Sequence, residues 1–358
     1  MLMQQRGIFG TIAEKPMGGH GSRLTTRFIS DTAMMKQPMT MNPRAAMTPT
    51  KVVSSAERKA QLPFRQRVAQ PLNITAREVD VVLALYKYRL LTIDQLEVLA
   101  FFSATRTLKT KCKARLQKLY HNGYVARVLL PVFIGKGRRP TVYSIDEKGV
   151  ALAVQQSGVE PQKITWLKAD ATYKDELHLD HDIALNNFWV VVERLAQDGY
   201  FQLVDGLTIY AFKSAPMKKQ GKVPFIKKGA VVHWKEPDAY FAIQFADKPK
   251  PFHFFIEQDM GTKSKLYWIE KVKAYLKFRQ DGLSAKHYDT KFFRVLTKTT
   301  NPKRLEKLIT WTKEAGGDEY FWFTTETQMN IWQPTSFLAA IWQVVGKEGR
   351  FPLNVTSL

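Results

Sequence analysis

Val231-Val-His-Trp-Lys-Glu-Pro-Asp238-Ala-Tyr-Phe-Ala-Ile-Gln-Phe245, a Lys/Pro turn, and Phe252-His-Phe-Phe-Ile-Glu257-Gln-Asp259-Met-Gly-Thr262 form the stretch from which the fold is read. Two β-rich runs flank a short turn, and a Lys-rich helical pattern follows to Tyr275. Residues two apart on a strand share a face, so Glu257 and Asp259 point to one side of the sheet. Asp238 on the neighbouring strand can complete an acidic cluster. Carboxylates gathered inside a strongly basic chain need a reason, and a divalent metal beside a nucleic acid phosphate supplies one.

The rest of the chain is basic. Its 358 residues carry a formal net charge of +22. That excess points to a polyanionic partner, nucleic acid ahead of a membrane surface, against the alternative of a protein merely kept soluble by its charge. The length suits two or three domains, and 45% hydrophobic content fits a folded protein. The single cysteine, Cys112, excludes an intrachain disulfide and a Cys-rich zinc site, and suits a reducing cytoplasm. No run reaches the roughly 18 apolar residues of a membrane span, so no membrane partner is expected.

Upstream, residues 1–70 are rich in Met, Thr, Pro and basic residues and lack periodicity. They read as a basic, mostly disordered arm that either adds phosphate contacts or has no specific role. Residues 71–155 read as three short helices and a hairpin. Thr75 with Glu78, and Thr92 with Gln95, are capping boxes. A third helix runs from Ser103 or Thr105 to about His121, burying Leu108, Cys112, Leu116 and Leu119. Its other faces offer Arg106, Thr107, Lys109, Thr110, Lys111 and Lys113. Asn122-Gly123 ends it. Two β-runs, Tyr124–Val132 and Thr141–Ile145, enclose a tip with Lys136, Arg138 and Arg139. This is the pattern of a winged helix-turn-helix, which places its third helix in the major groove of double-stranded DNA and its wing on the backbone. Use of the same fold for protein contacts is the alternative.

Residues 156–170 read as a linker, and residues 171–358 as an α/β domain with a mixed sheet. Its elements are an amphipathic helix from the Glu176–Asp182 segment to Leu195, strands at Phe201–Leu203 and Leu207–Phe212, and a Lys/Gly/Pro loop over Met217–Lys228. The central hairpin comes next, then a helix Leu266–Phe278, a strand Phe292–Leu296, a helix opened by Asn301-Pro302, and a strand Tyr320–Thr324. His178, His181 and Asp182 are read as residues of a helix start rather than metal ligands.

Pro237-Asp238, Glu257-Gln-Asp259 and Lys271 on the next helix resemble the PD-(D/E)xK nuclease-type core. From about Ile74 onward the chain is similar to the replication-relaxation family of plasmids and other mobile elements. The matching pieces are Leu116-Gln-Lys-Leu-Tyr-His-Asn-Gly123, Gly137-Arg-Arg-Pro-Thr-Val-Tyr143, His178-x-x-His181, Pro237-Asp238, Phe255-Ile-Glu257-Gln-Asp259-x-Gly-Thr262 and Lys271-x-x-x-Tyr275. The resemblance implies a winged helix followed by a nuclease-like domain, a role in plasmid replication and DNA relaxation, and replication or mobilisation proteins as further partners. One departure stands out. The lysine such a nuclease carries two residues after Glu257 is replaced by Asp259. Lys271 can substitute if its ammonium projects back from the helix. Asp238 and Glu257 would then hold Mg²⁺ or Mn²⁺, with Asp259 a further ligand or a group orienting Lys271.

Three functions remain in competition: a DNA-binding replication factor, a metal-dependent endonuclease or nickase, and a basic adaptor or assembly protein. A homodimer on palindromic DNA is compatible with a winged helix.

Overall fold

A computed structural model describes residues 67–101, 109–128, 139–157, 176–213 and 215–355. Residues 1–66 of the basic arm, Arg106, Thr107, Lys136, Arg138 and residues 158–170 of the expected linker lie outside them, while residues 156 and 157 of that linker end a helix. Residues from Arg67 onward belong to one compact unit.

The first part begins with α1 (Ala76–Tyr88), β1 (Leu90–Thr92) and α2 (Ile93–Leu96), and a single π-turn continues α2 to Phe101. Both expected capping boxes form. Glu78 accepts from the Thr75 N–H at 3.0 Å, and Thr92 and Gln95 exchange bonds at 2.8 and 3.2 Å. Then come α3 (Lys109–His121), β2 (Val125–Val128), β3 (Val142–Ile145) and α4 (Glu147–Ser157). Gly123 ends α3 in the left-handed region at φ 79°, as a cap there requires. The three strands pair antiparallel in the order β1-β3-β2. β1 was not expected from the sequence. It is only three residues long and is set by pairing with β3, a contact across some fifty residues that no local pattern announces.

A long helix, α5 (Glu176–Gln197), joins this part to the second. Its apolar stripe Leu185, Phe188, Trp189, Val192 and Leu195 is buried. The residues beside the stripe bind α2 and β1: Gln95 donates to the Ile183 carbonyl at 2.8 Å, and Asn186 donates to the Leu90 carbonyl at 2.7 Å. One apolar core therefore runs from Val81 and Leu85 through Trp189 to Phe241 and Trp342.

After α5 come β4 (Gln202–Thr208), α6 (Ile209–Lys213), α7 (Ala215–Lys219), β5 (Phe225–Lys228), β6 (Val231–Trp234), β7 (Ala239–Gln244) and β8 (Phe252–Asp259). They are followed by α8 (Lys265–Gln280), α9 (Leu283–Tyr288), β9 (Arg294–Thr299), α10 (Pro302–Glu314), β10 (Phe321–Thr325) and β11 (Gln343–Val344). Six strands form a mixed sheet in the order β11-β10-β9-β8-β7-β4. β8, β9 and β10 are parallel to one another, and the other pairings are antiparallel. Phe254 and Ile256 of β8 face the α5 side, while Phe255 faces the second core with Trp268, Tyr275 and Leu308. The expected α/β class and mixed sheet are thus present. β8 is central and buried on both faces, as its near-continuous apolar run requires.

Two segments differ from expectation. The run Leu207–Phe212 suggests a strand, but the strand stops at Thr208 and the chain turns into α6. A short apolar run has no period that separates strand from buried helix. The Lys/Gly/Pro composition of Met217–Lys228 suggests a loop, yet the segment holds the end of α7 and all of β5, and β5 pairs with β6 as a separate hairpin.

Candidate functional site

The site is built by β7, β8 and α8. Ala239 pairs with Ile256, so one residue earlier Asp238 comes abreast of Glu257. The Asp238 N–H donates to the Ile256 carbonyl at 3.0 Å, and its carboxylate accepts the Gln258 N–H at 2.8 Å. Glu257 points toward α8. Lys271, one turn before Tyr275 on that helix, directs its ammonium onto Glu257 Oε2, and the Tyr275 hydroxyl donates to Glu257 Oε1 at 2.6 Å. Glu257 and Lys271 are 3% and 5% exposed. The structure therefore brings Asp238, Glu257 and Lys271 together, with the lysine arriving from the helix.

Asp259 does not join them. It shares the Glu257 face, but Arg304 of α10 holds it through two bonds, at 2.8 and 2.9 Å, and Thr299 donates to it at 2.6 Å. Thus Asp259 neither reaches toward Asp238 nor orients Lys271. It ties β8 to the start of α10, where Asn301 caps the helix by accepting the Arg304 N–H at 2.9 Å.

His181 is a neighbour the sequence reading missed. From the first turns of α5 its Nε2 meets Asp238 Oδ2 at 3.2 Å, and its Nδ1 lies 3.4 Å from Asp182. The available signal was the His178-x-x-His181 spacing, which sets both residues near one face of the helix. Its target, 57 residues away, was not visible.

Electrostatics follow from burial and partners. Burial opposes charge on His181, but Asp238 and Asp182 overcome it and raise the imidazole to about 10. Burial likewise opposes ionisation of Asp238, yet His181 and Lys271 hold its carboxyl down to about 2. Glu257 goes the other way. Burial and the nearby Asp238 push it up to about 7, against the pull of Lys271 and Tyr275. Lys271 is raised, the two carboxylates outweighing its burial. The centre thus combines a firmly ionised Asp238 with a glutamate that titrates near neutrality, a pattern associated with functional sites as well as with structural ion pairs.

Among the described residues no group of three or more His, Cys, Asp or Glu is placed to hold a metal ion. Two carboxylates still suit Mg²⁺, which is commonly held by one or two carboxylates with waters and substrate phosphate completing its shell. Any such ion would compete with Lys271 and Tyr275 for Glu257.

On the opposite face, Lys298 of β9 stands beside Gln258 in register. It is 1% exposed, donates to the Ala184 carbonyl at 3.0 Å and lies 5.0 Å over the Phe188 ring. Burial lowers it to about 8, with Glu326 pulling the other way. A group depressed in this way penalises folding while it is charged, and the penalty fades as pH rises from about 8 past 10.5. Lys298→Met should therefore raise stability at pH 7 by about 1–3 kcal/mol in urea unfolding. A destabilised Lys298→Met chain would mean that the lysine's bonds to α5 outweigh its burial cost.

In the first part, α3 buries Cys112, Leu116 and Leu119 and leaves Lys109, Thr110, Lys111 and Lys113 exposed. Lys109 pairs with Asp94 at 2.7 Å. Cys112 is core, its thiol pushed up to about 12 by burial, as a non-nucleophilic cysteine should be. Arg139, expected on DNA, pairs with Asp180 of α5.

A family model described as replication-relaxation matches residues 83–295, more than half of the chain. The match covers α3, α5 and the whole Asp238–Glu257–Lys271 centre. No curated protein and no solved structure matches significantly. No helix among the described residues is long and apolar enough to cross a membrane.

Proposed function

Since the chain belongs to the replication-relaxation family, we propose that it is a DNA-binding protein of plasmid or mobile-element replication and relaxation. In this reading residues 71–155 are a winged helix and the second part is a nuclease-like scaffold. The observation that carries it is α3, whose apolar stripe is buried while Lys109, Thr110, Lys111 and Lys113 form an exposed face. Three helices and a β1-β3-β2 sheet around that face suit insertion into a major groove, with lysines on phosphates and Thr110 at a base edge. Arg106, Thr107, Lys136 and Arg138, outside the described residues, are further DNA contacts in this reading. Arg139, bound to Asp180, would serve by fixing the base of the wing. Localisation in the cytoplasm, where plasmid DNA resides, follows from this reading.

A second reading is a metal-dependent endonuclease or nickase, favoured by the convergence of Lys271 on Glu257 beside Asp238. Asp238 and Glu257 would hold Mg²⁺ or Mn²⁺, which when bound would polarise a phosphate and activate water. Lys271, released from Glu257 by the ion, would face the developing negative charge. His181 fixes Asp238, and Tyr275 orients Glu257.

Supercoiled plasmid incubated with the protein and Mg²⁺, Mn²⁺ or chelator separates the two. Tight, salt-sensitive binding without cleavage, weakened by Lys111→Gln with Lys113→Gln, is expected of the first. Nicking that needs metal and disappears in Glu257→Gln and Asp238→Asn is expected of the second. Binding indifferent to salt would count against both and favour an adaptor role.

A further inference from the structure

The β5–β6 hairpin is used by neither reading. Residues 213–235 hold seven lysines and no Asp or Glu. The root of the hairpin is fixed. The Lys235 N–H donates to the Pro224 carbonyl at 2.8 Å, and Phe225 packs edge-on against Trp234 at 5.3 Å. Glu270 of α8 binds Lys235 at 2.8 Å and Lys228 at 2.5 Å.

The tip is different. Gly229 takes φ 60° in the turn, and residues 227–232 are all exposed. Val231 and Val232 are 58% and 37% exposed. The turn itself is Gly229-Ala230, and Val231 and Val232 belong to β6, where β-branched residues are common; what sets them apart is that their apolar side chains are left uncovered. Register pairs Lys228 with Val231 and Lys227 with Val232, so each face of the ribbon presents one cation and one valine. Lys227 has no carboxylate within 4 Å among the described residues.

Position supplies the second observation. β6 runs through Lys235-Glu236-Pro237 straight into Asp238. Lys235 lies 4.7 Å over the Tyr267 ring, and Tyr267 sits in the field of Lys271, Glu257 and Asp238. The ribbon thus springs from the rim of the acidic centre.

We propose that the β5–β6 hairpin is a second DNA-contacting element, a ribbon that enters the major groove of duplex DNA and seats it at the Asp238–Glu257–Lys271 centre. The major groove admits a two-stranded ribbon, and thymine methyl groups offer apolar surface to valines there. Lys227 takes a phosphate on one side, and Lys228 exchanges Glu270 for a phosphate on the other. Of the seven lysines, Lys218 pairs with Glu236, and Lys228 and Lys235 share Glu270; the positive excess that remains over residues 213–235 complements a polyanion. This inference rests on the DNA-binding reading above and adds a site to it.

The test uses the full chain and a labelled duplex, with affinity followed by anisotropy across a salt series. Lys227→Gln with Lys228→Gln should weaken binding and flatten the log–log salt dependence by roughly 1.8, the share of two phosphates. Lys235 keeps Glu270 paired in this variant. Val231→Ser with Val232→Ser should weaken binding while leaving the salt slope unchanged. If both hairpin variants bind as the parent does while Lys111→Gln with Lys113→Gln binds less, the hairpin inference falls and the DNA-binding reading stands. If the parent itself shows no salt-dependent binding, the DNA-binding reading fails and takes this inference with it.

Discussion

Replacing Lys271 by Met is expected to lower the unfolding free energy by about 3–5 kcal/mol at pH 8. The size follows from burial. Glu257 is 3% exposed, and Lys271 is the cation that offsets its charge. Without the ammonium, Glu257 keeps the Tyr275 hydroxyl but faces Asp238 unopposed. It will then take up a proton, and its carboxyl, already at about 7, will move higher. The loss should accordingly be smaller at pH 6, where the acid is largely protonated in the parent as well. Glu257→Gln with Lys271→Met should recover most of the loss, because the costly state is one buried charge without its partner rather than absence of the pair. Urea denaturation of the parent, both single variants and the double variant closes the cycle. A Lys271→Met cost below about 1 kcal/mol at pH 8, the range of exposed pairs, would show that the pair is not buried in solution.

Much of this centre was legible in the sequence because it depends on strand register. Glu257 and Asp259 were placed on one face by the two-residue period, and Asp238 beside them by the turn between two β-runs. The continuous apolar run Phe252–Gln258 marked the central strand, and Asn301-Pro302 marked the start of α10. Contacts made across the fold were not legible. Asp259 looked available until Arg304, 45 residues on, was seen to hold it. His181 reaches Asp238 round the end of the sheet, from a helix packed against its other face. Lys298 lies beyond the apolar run Phe292–Leu296 that marks the strand in the sequence. Pairing with β8 and β10 shifts the strand to Arg294–Thr299 and buries the lysine. The hairpin tip was hidden by composition, since Lys, Gly and Pro read as a loop wherever tertiary pairing is unseen. Charge density and capping are local properties, and both boxes and the exposed lysines of α3 were recovered where residues are described.

Stability should peak near pH 4–5 and fall on both sides, for reasons that different residues make separable. Asp238 is held at about 2, below its ordinary 3.8. Its contribution is complete above about pH 3.8 and is lost as pH falls toward 2. His181 is raised from 6.5 to about 10, so its contribution is complete below pH 6.5 and is lost as pH rises toward 10. Glu257 is raised from 4.5 to about 7, and as an acid favoured in its protonated form it loses its contribution between those values. The alkaline decline therefore has two parts. The part between pH 4.5 and 7 belongs to Glu257 and should vanish in Glu257→Gln. The part that begins at 6.5 belongs to His181 and should vanish in His181→Asn, while above pH 8 the fading Lys298 penalty runs the other way and partly offsets it. The His181 part is the larger, about 2–4 kcal/mol, because the imidazolium faces two carboxylates, Asp238 at 3.2 Å and Asp182 at 3.4 Å. The acid limb reports the same ion pair from its other side, together with Glu270, which Lys228 and Lys235 hold down to about 2. In His181→Asn it should shrink without disappearing, because Asp238 keeps the Gln258 N–H and the field of Lys271. Unfolding free energies that decline equally steeply between pH 7 and 9 in the parent and in His181→Asn would place the alkaline titration on some group other than His181.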